Sequence, residues 1–151
     1  MAEEIRSFRD LRVYQEMFAL QQDIFEATKH WPSEEKFSLT DQVRRSSRSM
    51  GFNVTEAWAK RRYPLHFVSK LTDADGEVQE TSHWLASAAA CAYLSSAQQT
   101  AFQVRLDSIG GKLGKMMSKP ESFMPKIRTA PRPTPPPGFR PPTSDLRPPA
   151  P

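Results

Sequence analysis

Laid on a helix at about 100° per residue, the stretch from Ser38 to Arg62 separates into two unlike faces. Leu39, Val43, Ser46, Met50, Val54 and Ala57 share one narrow stripe, while Arg44, Arg45, Arg48 and Phe52 lie on the opposite arc. The same periodicity recurs three more times and predicts helices over about 10–29, 38–60, 64–93 and 96–117. Such a set is an all-α four-helix bundle. In the first helix, Leu11, Val13, Tyr14, Met17, Phe18, Leu20, Ile24, Phe25 and Thr28 fill about half the circumference, more than a two-helix seam requires. Either this helix lies deep among three neighbours or part of its apolar face is kept for another subunit.

The punctuation between the periodic segments agrees. Asp10 is a candidate N-cap for the first helix, with Phe8 folding back as a hydrophobic staple. Pro32 disfavours helical geometry at Trp31, Ser38 with Asp41 reads as an approximate capping box, and Pro64 suits a first helical turn. The third helix carries Phe67, Leu71, Ala74, Val78, Leu85, Ala88, Ala89 and Ala92 on one side and Asp73, Glu77, Glu80 and Trp84 on the other. The fourth aligns Phe102, Leu106, Ile109, Leu113, Met116 and Met117. Its three glycines, Gly110, Gly111 and Gly114, each cost about 1 kcal/mol relative to Ala, so its last two turns are expected to depend on packing and to fray first.

Composition then marks a boundary. Twelve of the fourteen prolines lie in residues 119–151, where runs such as RPTPPPGFRPP lack the backbone donors of helices and sheets. The expectation is a flexible N-terminus over 1–9, one bundle domain over 10–118 and a disordered Pro-rich basic tail over 119–151. The net charge of +4 belongs to that tail: residues 1–118 carry fifteen basic and fifteen acidic side chains. Electrostatic arguments about the bundle therefore rest on local faces, not on the sum. No apolar leader or membrane-length span is present in the sequence, and a cytoplasmic protein with no membrane partner is expected.

Candidate chemistry is thin. The one cysteine, Cys91, sits in an Ala-rich run without a nearby His or Asp. Glu80 and His83 have the Glu-x-x-His spacing of di-metal bundles, but that site needs the motif twice, together with carboxylates from the other helices, all pointing inward. No catalytic, cofactor or metal site is assigned, and the chain is read as a non-enzyme.

Several blocks resemble a known family: FRDLRVY from Phe8 to Tyr14, LTDQVRR from Leu39 to Arg45, Ser49 with Met50, NVTE from Asn53 to Glu56, and ADGEVQET from Ala74 to Thr81. In order and spacing, residues 8 to 117 are similar to the bacterial four-helix bundle proteins encoded in ribosomal-RNA intervening sequences. The chain departs from that pattern at Thr55 and Ala57, where a small apolar residue and then Gly are usual, and at Glu77, where Ser is. The resemblance implies an antiparallel up-and-down bundle that assembles into a homo-oligomeric ring, typically a pentamer, and it brings no enzymatic activity. The accessory variability proteins of retroelements, which bind nucleic acid and a reverse transcriptase, look like relatives of this fold.

Two functional readings of the basic arc stay open. Arg44, Arg45 and Arg48, with Lys60, Arg61 and Arg62 beyond them, are expected to grip phosphates of RNA or DNA while Phe52 offers a stacking surface. Alternatively they meet Asp73, Glu77, Glu80 and Trp84 of the next subunit, unlike surfaces that can close a ring. This reading is preferred for at least part of the surface, because it uses the acidic face, Trp84 and the surplus width of the first helix together. The resulting expectation is a non-enzymatic homo-oligomeric scaffold or adaptor that binds RNA or DNA. The alternative is a module that engages a protein partner through the Pro-rich tail.

Overall fold

The computed structural model describes residues 4–126 and 133–140. Four helices account for most of them: α1 (Arg12–Thr28), α2 (Leu39–Ala59), α3 (Pro64–Ala90) and α4 (Ser96–Ser118). There is no strand among the described residues. α1 packs on α2 and α4, and α3 on α2 and α4, so the chain goes up and down around one core. Contacts run in opposite directions along each neighbouring pair: Arg45 reaches Glu80 whereas Glu56 reaches Lys70, Asp23 reaches Arg105 whereas Glu16 reaches Lys112, Thr72 reaches Met117 whereas Ser82 reaches Gln103, and Thr28 meets Arg44 whereas Tyr14 lies beside Gly51. The helices are therefore antiparallel to their neighbours.

The apolar stripes meet inside. Met17, Leu20, Ile24, Val43, Met50, Val54, Phe67, Leu71, Leu85, Leu106, Ile109 and Leu113 are all essentially inaccessible, each contributing roughly 1.5–3 kcal/mol of transfer free energy. α2 and α3 have the most extensive contact. Small residues allow it: Ser46, Ala57, Ala74 and Thr81 are completely buried. The Thr81 hydroxyl, 2.9 Å from Ser46 Oγ and 2.8 Å from the Glu77 carbonyl, keeps this polar pair satisfied inside the seam.

The helix ends differ from the sequence expectation in instructive ways. Asp10 does not cap α1. It closes a capping box with Ser7 around a 3-10 turn, Phe8–Asp10, its carboxylate accepting from the Arg6 and Ser7 backbone amides. Those backbone bonds, that from Arg6 first, hold the Asp10 carboxyl below its usual range. Phe8 does fold back, edge-on to Tyr14 at 4.9 Å. Ser38 precedes α2, but its hydroxyl makes no cap. It donates to Glu35 Oε2 at 2.5 Å, and the same oxygen accepts the Leu39 amide at 3.2 Å. Glu35 also accepts from the Tyr93 hydroxyl at 3.1 Å, tying the start of α2 to the end of α3. The Ser38 bond chiefly, with the Leu39 amide behind it, lowers the Glu35 carboxyl below its usual range.

α3 stops at Ala90, three residues before the periodicity ends, because Ala92 takes a left-handed φ of 61°. The Ala92 amide bonds to the Ala89 carbonyl and the Tyr93 amide to that of Ala88, a Schellman closure. An alanine there bears a penalty of roughly 1–2 kcal/mol. Ala92→Gly is expected to stabilise the fold by about 0.5–1 kcal/mol, read as a higher urea midpoint with unchanged slope. An unchanged or lower midpoint would contradict it.

α4 begins with the Ser95–Gln98 capping box and remains helical through all three glycines to Ser118, held by Leu113 and Met116 in the core. The composition places the tail's start at Lys119, yet the next residues stay with the bundle. Pro120–Phe123 form a 3-10 turn that stacks Phe123 on Phe67 at 5.6 Å. The aromatic ring outweighs the prolines around it. Of the tail beyond Lys126, only residues 133–140 are described, irregular and exposed; 127–132 and 141–151 lie outside the described residues.

Candidate interaction surface

The charged side chains of α2 divide between two neighbours. Arg45 turns toward α3, where its guanidinium pairs with Glu80 and lies 3.5 Å from Glu77 Oε2, an ion pair without hydrogen-bond geometry. Trp84 Nε1 donates to the same Glu80 oxygen at 3.2 Å, and its ring packs against the edge of the core. Asp73 meets Lys70 at 3.5 Å, and Lys70 bridges to Glu56 on α2 at 2.8 Å. Arg45 and the acidic side of α3, placed on two subunits by the ring reading, thus neutralise one another within a single chain. Each helix wheel shows what lies on a face; it does not show that these two faces adjoin at the α2–α3 seam.

This cluster has opposed titrations. Glu77 is pushed up from 4.5, mainly by burial against the favourable charge of Arg45, whereas Glu80 is pulled down, mainly by its bond from Arg45. As pH falls, Glu77 takes up its proton in the folded state first, which adds stability just above pH 4.5. Glu80 protonates last, and its contribution is lost below 4.5. Glu77→Gln removes the opposing gain. Urea midpoints measured from pH 7 to pH 3 are therefore expected to fall more steeply in this variant than in the parent. Parallel curves would refute the assignment.

Arg44 and Arg48 turn the other way, toward α1. Arg44 Nε donates to Thr28 Oγ1 at 2.8 Å, and its guanidinium lies over the Phe25 ring at 4.6 Å. Arg48 stands over the same ring at 5.5 Å. Neither has a carboxylate within 4 Å among the described residues, in contrast to Arg45. Phe25 holds both cations in place without cancelling their charge. Next along α2, buried Gly51 packs beside the Tyr14 ring, with room for a Cβ at an ordinary contact distance of 3.5 Å, and Phe52 projects outward 61% exposed. On α1, Phe18 is 48% exposed beside Tyr14, at 6.2 Å between rings. Arg9, Tyr14, Gln15, Phe18 and Ala19 line an open depression of about 400 Å³. The surplus width of the first helix is thus partly outward-facing.

At the end of α2, Arg61 lies over the Trp58 ring at 4.1 Å and donates to the Trp58 carbonyl at 3.0 Å. Lys60 and Arg62 are exposed, and Arg61, Arg62, Tyr63 and Pro125 border a second depression of about 330 Å³. None of these three cations has a carboxylate partner among the described residues. Sequence reasoning missed Phe25, Phe18 and Tyr14 as members of this surface. Their excess on the wheel was the available signal.

No group of three or more His, Cys, Asp or Glu residues that could hold a metal occurs among the described residues. His83 packs edge-on against Trp84 while Glu80 is engaged by Arg45, so the Glu-x-x-His pair does not converge. Among those residues, no helix is long and apolar enough to cross a membrane.

With this geometry in hand, the profile of the 23S rRNA-intervening sequence protein family matches residues 9–115, most of the chain and all four helices. The chain belongs to that family. No curated protein matches it. Among solved structures it is similar to a protein of unknown function from the S23 ribosomal protein family of Bacteroides thetaiotaomicron VPI-5482. The two share 25% identity and a TM-score of 0.64, over 70% of this chain and 95% of that one. The Pro120–Phe123 turn lies outside the residues that the family matches.

Proposed function

We propose that this protein is a non-enzymatic, homo-oligomeric helical scaffold of the cytoplasm that binds RNA or DNA through its basic surface. The observation that carries the reading is the contrast on α2: Arg45 is neutralised by Glu77 and Glu80, while Arg44 and Arg48 are held over Phe25 without a carboxylate. Uncompensated guanidinium groups beside exposed aromatic rings suit phosphate and base contacts. The family's name, taken from sequences that interrupt 23S rRNA, makes RNA the first ligand to test. Assembly is carried over from the family resemblance alone; Phe37 and Leu65, 87% and 84% exposed, stand singly at opposite ends of the bundle and make no contiguous patch. A ring, a pentamer by family resemblance, would repeat the basic face around one axis and multiply weak contacts.

Filter binding to an RNA that contains both helices and single-stranded loops, across a salt series, tests the ligand: affinity that falls as salt rises supports it, and no affinity at low salt ends it. Light scattering on the eluting protein tests the assembly, and a stable monomer at micromolar concentration would remove the oligomer from the proposal.

The second reading, a protein-interaction module working through the tail, is favoured by residues 133–140. They are irregular and exposed, with Phe139 59% accessible and a turn at Gly138 where φ is 94°. Proline-rich segments of this kind dock in aromatic grooves. Removing residues 127–151, which leaves the Phe123 contact intact, separates the two: binding lost with assembly retained would assign the activity to the tail.

A further inference from the structure

We infer that the occupant of the α1–α2 outer face is single-stranded nucleic acid, lying along α2 with bases stacked on Phe52 and Phe18. This rests on the nucleic-acid reading above and names the form of the ligand. Three features select a single strand over a duplex. The exposed rings of Phe52 and Phe18 offer flat apolar area that a duplex, with its bases already stacked, has no use for. The depression bordered by Arg9, Tyr14, Gln15 and Phe18 pairs two rings with a guanidinium and an amide, groups able to hydrogen-bond the edge of an unpaired base. The cations are also arranged in file rather than across a groove.

Arg44 and Arg48 stand one helical turn apart, Phe52 follows after another, and Lys60, Arg61 and Arg62 lie beyond the helix end. From Arg44 to Ala59 the helix rises about 22 Å, room for a short single-stranded segment of several nucleotides. Charge complementarity fits an anion here. Along this path Glu56 is taken by Lys70, Glu26 by Lys29 at 2.9 Å, and Asp10 by its cap. Asp41, exposed in the first turn of α2, has no such partner among the described residues. The strand therefore begins at Arg44 rather than at the N-terminus of α2.

The test uses the full chain and fluorescein-labelled oligouridylate about twice the footprint length, with oligothymidylate and an RNA duplex of equal length beside it. The single strands are expected to bind at least tenfold tighter than the duplex, the better of the two naming the preferred sugar. Phe18→Ala with Phe52→Ala is expected to weaken single-strand binding about thirtyfold or more with the salt slope unchanged. Arg44→Gln with Arg48→Gln should flatten that slope by about 1.4. Circular dichroism checks that each variant is folded; Phe18 and Phe52 are solvent-facing and their loss leaves the core intact. Equal binding of duplex and single strand, insensitive to the two phenylalanines, would overturn the inference while leaving nucleic-acid binding standing. Binding to neither would remove both. A drop in oligomer mass in the phenylalanine variant, with affinity unchanged, would make this face a subunit contact and overturn the inference.

Discussion

Phe67→Ala is expected to cost 3–5 kcal/mol, in the range of large aromatic truncations in closed cores. Phe67 is fully buried near the start of α3, where the bundle closes around the α2–α3 turn. Its ring also stacks on Phe123, so the substitution removes both a core side chain and the platform that holds Pro120–Phe123 against the bundle. A domain of this size has about 5–15 kcal/mol in total, and the variant should be marginal. Urea unfolding measures the loss, and hydrogen exchange at the Ser122 and Met124 amides, both bonded within that turn, reports its release. Phe123→Ala provides the comparison. Only partly buried, it should lose the aromatic pair, worth about 0.5–1.5 kcal/mol, together with part of its apolar burial. A Phe67→Ala loss below about 1 kcal/mol would show that the end of the bundle is not closed in this way.

Replacing Arg44, Arg48, Arg61 and Arg62 together by Gln is expected to reduce nucleic-acid affinity on the order of several hundredfold near 0.1 M salt. Each phosphate contact with a single strand contributes about 0.7 to the salt slope, which is about fivefold in affinity at that concentration, and four act together. The slope itself should flatten by about 3. Arg44 also binds Thr28, so about 1 kcal/mol of stability is expected to go with it and is measured separately by urea unfolding. Arg45→Gln is the internal control. Its guanidinium is already engaged by Glu77 and Glu80, and its removal should change the slope least. An unchanged slope in the fourfold variant would place the binding element elsewhere, and the tail beyond Lys126 would be the next region to remove.

The architecture was legible because it follows from periodicity. Val43, Met50, Val54 and Ala57 recur at helical spacing and all become inaccessible, as do Phe67, Leu71, Ala74 and Ala88 on α3. Burying an apolar stripe is worth enough, at roughly 25 cal/mol per Å², that no local detail overrides it. Ends were less legible. The capping serine and acidic residue near position 38 were visible, but the carboxylate that accepts the Leu39 amide comes from Glu35 across a 3-10 turn, and Ala92 enters a conformation its side chain does not favour. Cap partners lie within about a kcal/mol of one another, so small tertiary preferences decide between them.

The sequence by itself determined that there are four amphipathic helices, which side of each is buried, and that Arg44, Arg45 and Arg48 all lie off the apolar stripe of α2. Only the tertiary structure decided what those arginines meet. The period of a helix sets angles about its own axis; it contains no term for the rotation and register of a neighbouring helix. Once α3 packs on α2 through Ser46 and Thr81, Arg45 falls beside Glu77 and Glu80, and its charge is compensated. Once α1 packs on the other side, Phe25 comes beneath Arg44 and Arg48 and leaves theirs available.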